Sequence, residues 1–166
     1  MGEKTDKNLK DAFAGESQAS RKYASFSKKA QDEGNEQIAK LFKAASLGEE
    51  HHARNHLKAM KGVGGTEENL QTAYAGETEE IDNMYPGMIT SAKEEGASEA
   101  EQSFTWAMTV EKEHQGFFKK ASEELGSNEI VEYYVCGNCG HVHLSEAPEE
   151  CPVCGRPKSQ FDHIEL

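Results

Sequence analysis

Glutamate followed three residues later by histidine occurs at Glu49/His52 and again at Glu111/His114, and each pair lies on a helical stripe that is otherwise largely apolar. Steps of three and four along the first helical segment place Leu9, Phe13, Glu16, Ser20, Tyr23, Ser27 and Ala30 on one side. The second segment presents Ile38, Phe42, Ala45, Glu49, His52, His56 and Ala59 in the same way. Leu70, Ala73, Glu77, Glu80 and Met84 align on a third segment. Ala100, Phe104, Ala107, Glu111, His114, Phe118, Ala121 and Leu125 align on a fourth. Each stripe carries a glutamate near its middle. An ionised carboxylate taken into a core is costly unless a counter-charge accompanies it, and several together need more than one. Two metal cations supply that charge, which points to four helices gathered around one metal-binding core.

A lone Glu-x-x-His in a glutamate-rich helix is ordinarily a solvated face. Here two copies are repeat-related, and matching positions on the other helices supply Glu16 and Glu77. Mixed carboxylate and imidazole ligands suit iron or manganese better than a structural zinc. Glu80, one turn beyond Glu77, has no counterpart, because Ala19 occupies the equivalent place. One metal is therefore expected to have a different ligand set.

The duplication extends along the helices. Ala12-Phe13-Ala14-Gly15-Glu16 matches Ala73-Tyr74-Ala75-Gly76-Glu77 at an offset of 61, whereas Glu33-Gly34 matches Glu95-Gly96 at an offset of 62. The third helix thus has one extra residue, near Pro86, where an irregularity is expected. Helices are predicted over about 6–33, 35–61, 66–95 and 98–125, stopped by Gly34, the glycine cluster at 62–65, Gly96 and Gly126. Residues 1–127 read as a bundle of two hairpins, about 6–61 and 66–125. Residues 128–166 read as a small domain opening with a strand over Ile130 to Val135. The fold class is an all-α four-helix bundle followed by a small β-containing metal domain.

Composition alone argues against a packed fold. The formal net charge is −12, and Leu, Ile, Val and Phe occupy only 26 of 166 positions, values typical of disordered chains. Internal acids neutralised by metal resolve that conflict. The acidic balance also argues against a nucleic-acid partner, which needs clustered cations. The charged N-terminus lacks a secretory pattern, and no apolar run is long enough for a membrane span. A soluble cytoplasmic protein is expected.

Cys136-Gly137-Asn138-Cys139 and Cys151-Pro152-Val153-Cys154 form two Cys-x-x-Cys loops separated by eleven residues, a strong signal for a tetrahedral four-sulfur metal site. Spacing leaves iron and zinc as alternatives. Gly140 and Gly155 follow the two loops and permit tight turns. The Cys-Gly-x-Cys-Gly and Cys-Pro-x-Cys-Gly sequences, with Tyr134 and Phe161 nearby, resemble rubredoxin. Of the other histidines, His51 reads as solvated and His56 as a packing neighbour of the metal ligands. His141, His143 and His163 read as surface residues of the small domain.

A duplicated carboxylate bundle of the ferritin-like kind followed by a rubredoxin-like module resembles rubrerythrin over nearly the whole chain. The resemblance implies a di-iron site that reduces hydrogen peroxide to water, with electrons arriving through an Fe(Cys)4 centre at Cys136, Cys139, Cys151 and Cys154, three irons in all. It implies that Glu49 and Glu111 bridge the two irons, with Glu16 terminal on one and Glu77, beside His114, on the other. The iron near Glu16 would be bound by Glu80 when oxidised and by His52 when reduced. Tyr23 and Tyr85, at matching positions, resemble tyrosines that stand behind the ligands. The implied partners are peroxide, an NAD(P)H-linked reductase or a rubredoxin as electron donor, and further copies of the chain in a homodimer or larger assembly, arranged head to tail so that one subunit's cysteine module faces the other's di-iron centre. Whether hairpins swap between subunits stays open. The alternative from another class is a ferritin-like ferroxidase or iron store, which has no need of a one-electron relay.

Overall fold

The computed structural model describes residues 2–127 and 129–165. The expected domain boundary at Asn128 lies outside them. Four helical rods come first: α1 (Glu3–Asp32), α2 (Glu36–Ala59), α3 (Thr66–Glu79) running through a π turn (Glu80–Met84) into α4 (Tyr85–Glu94), and α5 (Ser98–Glu123). A three-stranded antiparallel sheet follows, with β1 (Tyr133–Cys136) in the centre, β2 (Val142–Leu144) on one side and β3 (Phe161–His163) on the other. No helix among the described residues is long and apolar enough to cross a membrane.

The chain divides into two compact units, one ending at Gly64 and the other beginning at Gly65. The first is the α1–α2 hairpin. Its seam is built from small residues, with Ser20 and Ala30 of α1 and Ala39, Ser46 and Ala53 of α2 all buried. The α2 set recurs every seven residues, as a helix–helix seam requires. Ser20 donates its hydroxyl to the Ser46 carbonyl at 3.0 Å, and Ser46 returns the bond to the Ser20 carbonyl at 2.8 Å. Close approach of two backbones thus satisfies both hydroxyls, each bond contributing about 1 kcal/mol. In α1 the seam residues Ser20 and Ala30 belong to the stripe predicted from sequence, whereas in α2 the predicted stripe runs beside the seam and its Ile38 is exposed.

The second unit contains α3, α4, α5 and the sheet. Glu68 accepts a hydrogen bond from the Gly65 N–H at 3.0 Å, which starts α3 at Thr66, where the third predicted helix begins. The irregularity expected near Pro86 is the π turn immediately before it. Proline has no N–H and its ring crowds the carbonyl four residues back, so a wider turn relieves both at once. Val110 of α5 is 2% exposed, and Cys136, the last residue of β1, is 1% exposed. The predicted strand begins later than expected. Ile130 is 98% exposed, and pairing starts only where Tyr133 meets Leu144, because β2 offers no partner to earlier residues.

Candidate metal centres

In the first unit, α1 contributes Glu16 and α2 contributes Glu49 and His52. Their ligand atoms lie within 4.8 Å of one another. His52 Nδ1 stands 2.8 Å from Glu49 Oε2 and 3.9 Å from Glu16 Oε1. In the second unit, α3 contributes Glu77 and α5 contributes Glu111 and His114, again converging within 4.8 Å. His114 Nδ1 lies 2.7 Å from Glu111 Oε2 and 3.9 Å from Glu77 Oε1. Two copies of one sequence pattern therefore fold into two trios of nearly the same geometry. One helical turn sets the glutamate–histidine pair, and the neighbouring helix of the hairpin supplies the third carboxylate.

The two trios differ in their surroundings. The side chain of His52 is 58% exposed, whereas that of His114 is 26% exposed. Burial, then the proximity and hydrogen bond of Glu111 and the charge of Glu80, raise the Glu77 carboxyl to about 7 from an ordinary 4.5. Glu80 stands outside the trio but feels it: burial first and Glu111 second push its carboxyl up, while His114 opposes them. Tyr85 is pushed up by burial and by Glu80, Glu111 and Glu77, so it stands among the same carboxylates. Its counterpart Tyr23 packs on Phe42 at 6.3 Å between ring centroids, as Tyr85 packs on Phe104 at 6.4 Å. Glu77 and Glu80, raised by burial first and by neighbouring carboxylates second, are acids whose ionised form a cation would favour, and the oxygen–nitrogen donor set fits iron. Gln115 adds a contact that sequence reasoning missed, donating to the Thr78 hydroxyl at 2.7 Å and tying α5 to α3 beside Glu77.

The four cysteines also converge, as free thiols. Cys136 Sγ lies 3.6 Å from Cys154 Sγ, and Cys139 Sγ lies 3.6 Å from Cys151 Sγ. Metal–sulfur bonds of about 2.3 Å in a tetrahedron put sulfurs about 3.8 Å apart, so the cage has the size of a four-thiolate site. Each Cys-x-x-Cys loop closes in the same way. The Gly140 N–H bonds the Cys136 carbonyl and the Gly155 N–H bonds the Cys151 carbonyl, both at 2.9 Å. Both glycines have positive φ, +83° and +71°, the turn that a side chain would disfavour. Burial raises the thiols of Cys139 and Cys151. Partial burial also opposes ionisation of Cys154, but the Arg156 N–H and the Asn138 amide outweigh it and bring that thiol down to about 7.

One histidine of the module departs from expectation, while His163 is exposed as expected. His141 is buried rather than on the surface, 5% exposed. It donates from Nδ1 to Glu113 Oε2 of α5 at 2.6 Å. The signal for this was faint: Glu113 stands beside Val110 and Phe117 on a line of α5 that the metal stripe leaves unused. His163 stacks on Tyr134 at 4.8 Å, and Phe161 meets the His141 ring edge-on.

Comparison with known proteins agrees with this arrangement. The rubrerythrin family model matches residues 7–122, and the rubrerythrin rubredoxin-like domain matches residues 134–162. Rubrerythrin of Porphyromonas gingivalis is 36% identical over 97% of this chain and 90% of its own length. Nigerythrin of Nitratidesulfovibrio vulgaris is 34% identical over 95% of this chain and 85% of its own length. The solved structure of partially reduced nigerythrin superposes with a TM-score of 0.59 at 34% identity, covering 96% of this chain and 86% of that one. With the carboxylate trios inside one match and the thiolate cage inside the other, the chain belongs to the rubrerythrin family, and its cofactor is iron at a di-iron site and a rubredoxin-like four-cysteine site.

Proposed function

We propose that this protein is a peroxidase that reduces hydrogen peroxide to water, fed with electrons through its four-cysteine iron by an NAD(P)H-linked reductase or a rubredoxin, and that it works as a homodimer. The observation that carries this reading is the presence in one chain of two matched carboxylate–imidazole trios and a closed four-thiolate cage. Iron held by the two trios would supply the two electrons that, with two protons, turn one peroxide into two waters. The chain's own residues do the rest. Glu16, Glu49, His52, Glu77, Glu80, Glu111 and His114 offer more donor atoms than a single ion needs, and the carboxylates favour the ferric product. The Tyr85 hydroxyl stays protonated at neutral pH beside Glu77, Glu80 and Glu111 and can donate a hydrogen bond there. Iron held by Cys136, Cys139, Cys151 and Cys154 would have its four positions taken by sulfur, so that the site could carry electrons without opening the metal to peroxide.

The test is titration of the anaerobically reduced protein with peroxide while iron content and visible spectrum are followed. About three irons per chain, consumption of one peroxide per two electrons and re-oxidation of the thiolate iron are expected. Glu111→Gln should cut peroxide reduction by at least about a hundredfold while leaving the thiolate spectrum intact. Zinc in the thiolate cage, or reduced centres that peroxide leaves untouched, refutes the proposal in favour of an iron store.

A further inference from the structure

The two hairpins part company at the residue that follows each ligand histidine. Glu16 lies 3.9 Å from His52, and Glu77 lies the same 3.9 Å from His114. The next residue on α1 and on α3 is a hydroxyl in both copies. Ser17 donates to the Phe13 carbonyl at 2.7 Å, and Thr78 donates to the Tyr74 carbonyl, also at 2.7 Å. After His52 comes Ala53, 7% exposed, a methyl with nothing to donate. After His114 comes Gln115, whose Nε2 donates to the Thr78 hydroxyl at 2.7 Å. Because Thr78 spends its own proton on Tyr74, it can only accept from Gln115, and the two bonds support each other.

Adjacent residues rise about 1.5 Å along a helix, so this tie crosses from α5 to α3 at the level of Glu77 and His114 themselves. In the first hairpin the cross-helix bonds between Ser20 and Ser46 lie about one turn away from Glu16 and Glu49. The tied trio is also the more enclosed, with the His114 side chain 26% exposed against 58% for His52. Ligands whose spacing is set before the ion arrives lose less freedom on binding it. We propose that Gln115 is a positioning residue: through Thr78 it fixes Glu77 against His114, so that the second trio stands preformed and takes the first divalent ion that the carboxylates bind. The proposal rests on the reading of Glu77, Glu111 and His114 as metal ligands and not on peroxide reduction.

The test uses full-length protein with zinc in the four-cysteine site and its carboxylates stripped by a chelator. It is titrated with manganese(II), which prefers oxygen and nitrogen donors to thiolates, while electron paramagnetic resonance reads the free ion. The wild type should show one tighter and one weaker step. Thr78→Val and Gln115→Met should weaken the tighter step about fivefold, and Thr78→Ser, which keeps the hydroxyl, should restore it. Should Thr78→Val fail to fold, Gln115→Met carries the comparison. In a Glu77→Gln background the same changes should cost nothing further, whereas in a Glu16→Gln background the fivefold loss should persist. A lower thermal midpoint with unchanged manganese affinity makes the bond merely structural and overturns the proposal, as does an equal loss in the Glu77→Gln background. Wild-type protein that binds no manganese overturns the ligand reading and the proposal with it. Wild-type binding that every variant matches overturns the proposal alone.

Discussion

Burial, then the crowding of Glu111 and Glu80, leaves Glu77 with a carboxyl near pH 7 in place of an ordinary 4.5. The metal-free native state therefore holds a proton that the unfolded chain releases at about 4.5. Between the two values the native state binds more protons, so stability is fully present below about 4.5 and is lost as pH rises through about 7. A cation on the same carboxylate competes with that proton, so its affinity rises across the same window and loading releases protons. Calorimetric midpoints of the metal-free protein should fall from about pH 5 to about pH 8, and Glu77→Gln, neutral throughout, should flatten the slope. An equal slope in that variant would show that the proton sits elsewhere. At this scale the convergence of the two trios was legible because Glu-x-x-His spacing fixes the mutual geometry of each pair within one helix. His141 was not, because its partner lies 28 residues earlier and nothing in a Cys-x-x-Cys-Gly-His run says that the histidine turns inward.

The π turn at Glu80–Met84 is where the duplication stops being regular. The offset between repeats is 61 at Glu16/Glu77 and 62 at Tyr23/Tyr85, so the extra residue must lie between Glu77 and Tyr85, and the turn falls inside that interval. The sequence thus located the irregularity, although its type depends on how the backbone absorbs Pro86. Deleting the exposed Asp82 should restore an ordinary helix and rotate Glu77 and Glu80 by about 100° relative to Tyr85 and the chain beyond it. Helix content by circular dichroism should be retained while iron bound by the carboxylates falls and the thiolate iron stays. A fully loaded deletion variant would mean that the π turn merely accommodates proline. The hairpin seam was less legible than the metal stripe. Ala39, Ser46 and Ala53 carry little hydrophobic signal, and their burial follows from how closely two backbones approach rather than from side-chain apolarity. The late start of β1 was likewise hidden, because Ile130 and Val131 have strand character but no neighbouring strand to pair with.

A chain with 30 acidic and 18 basic residues folds against its own charge. Many lysines are already engaged one turn from an acid, as in Lys10–Asp6, Lys40–Glu36 and Lys29–Glu33, and such exposed pairs each contribute little. The buried core is thin, made mostly of alanines with Val110 and two cysteines, while Phe26, Leu41 and Leu47 remain exposed. Little hydrophobic surplus is therefore available to offset repulsion, and the acids of the two trios add to it wherever no cation neutralises them. Screening should substitute for part of that neutralisation. The Debye length shortens from about 30 Å at 0.01 M salt to about 10 Å at 0.1 M, enough to quiet repulsion between separate acidic patches. The thermal midpoint of the metal-free protein should rise with sodium chloride over that range, and the rise should shrink once the carboxylate sites are loaded, because the bound cations have already removed the nearest charges. Scanning calorimetry of both forms across the salt series checks this. Equal salt slopes in the two forms would mean that the trios contribute no more repulsion than any other surface acids, and the unusual composition would then need an explanation other than metal.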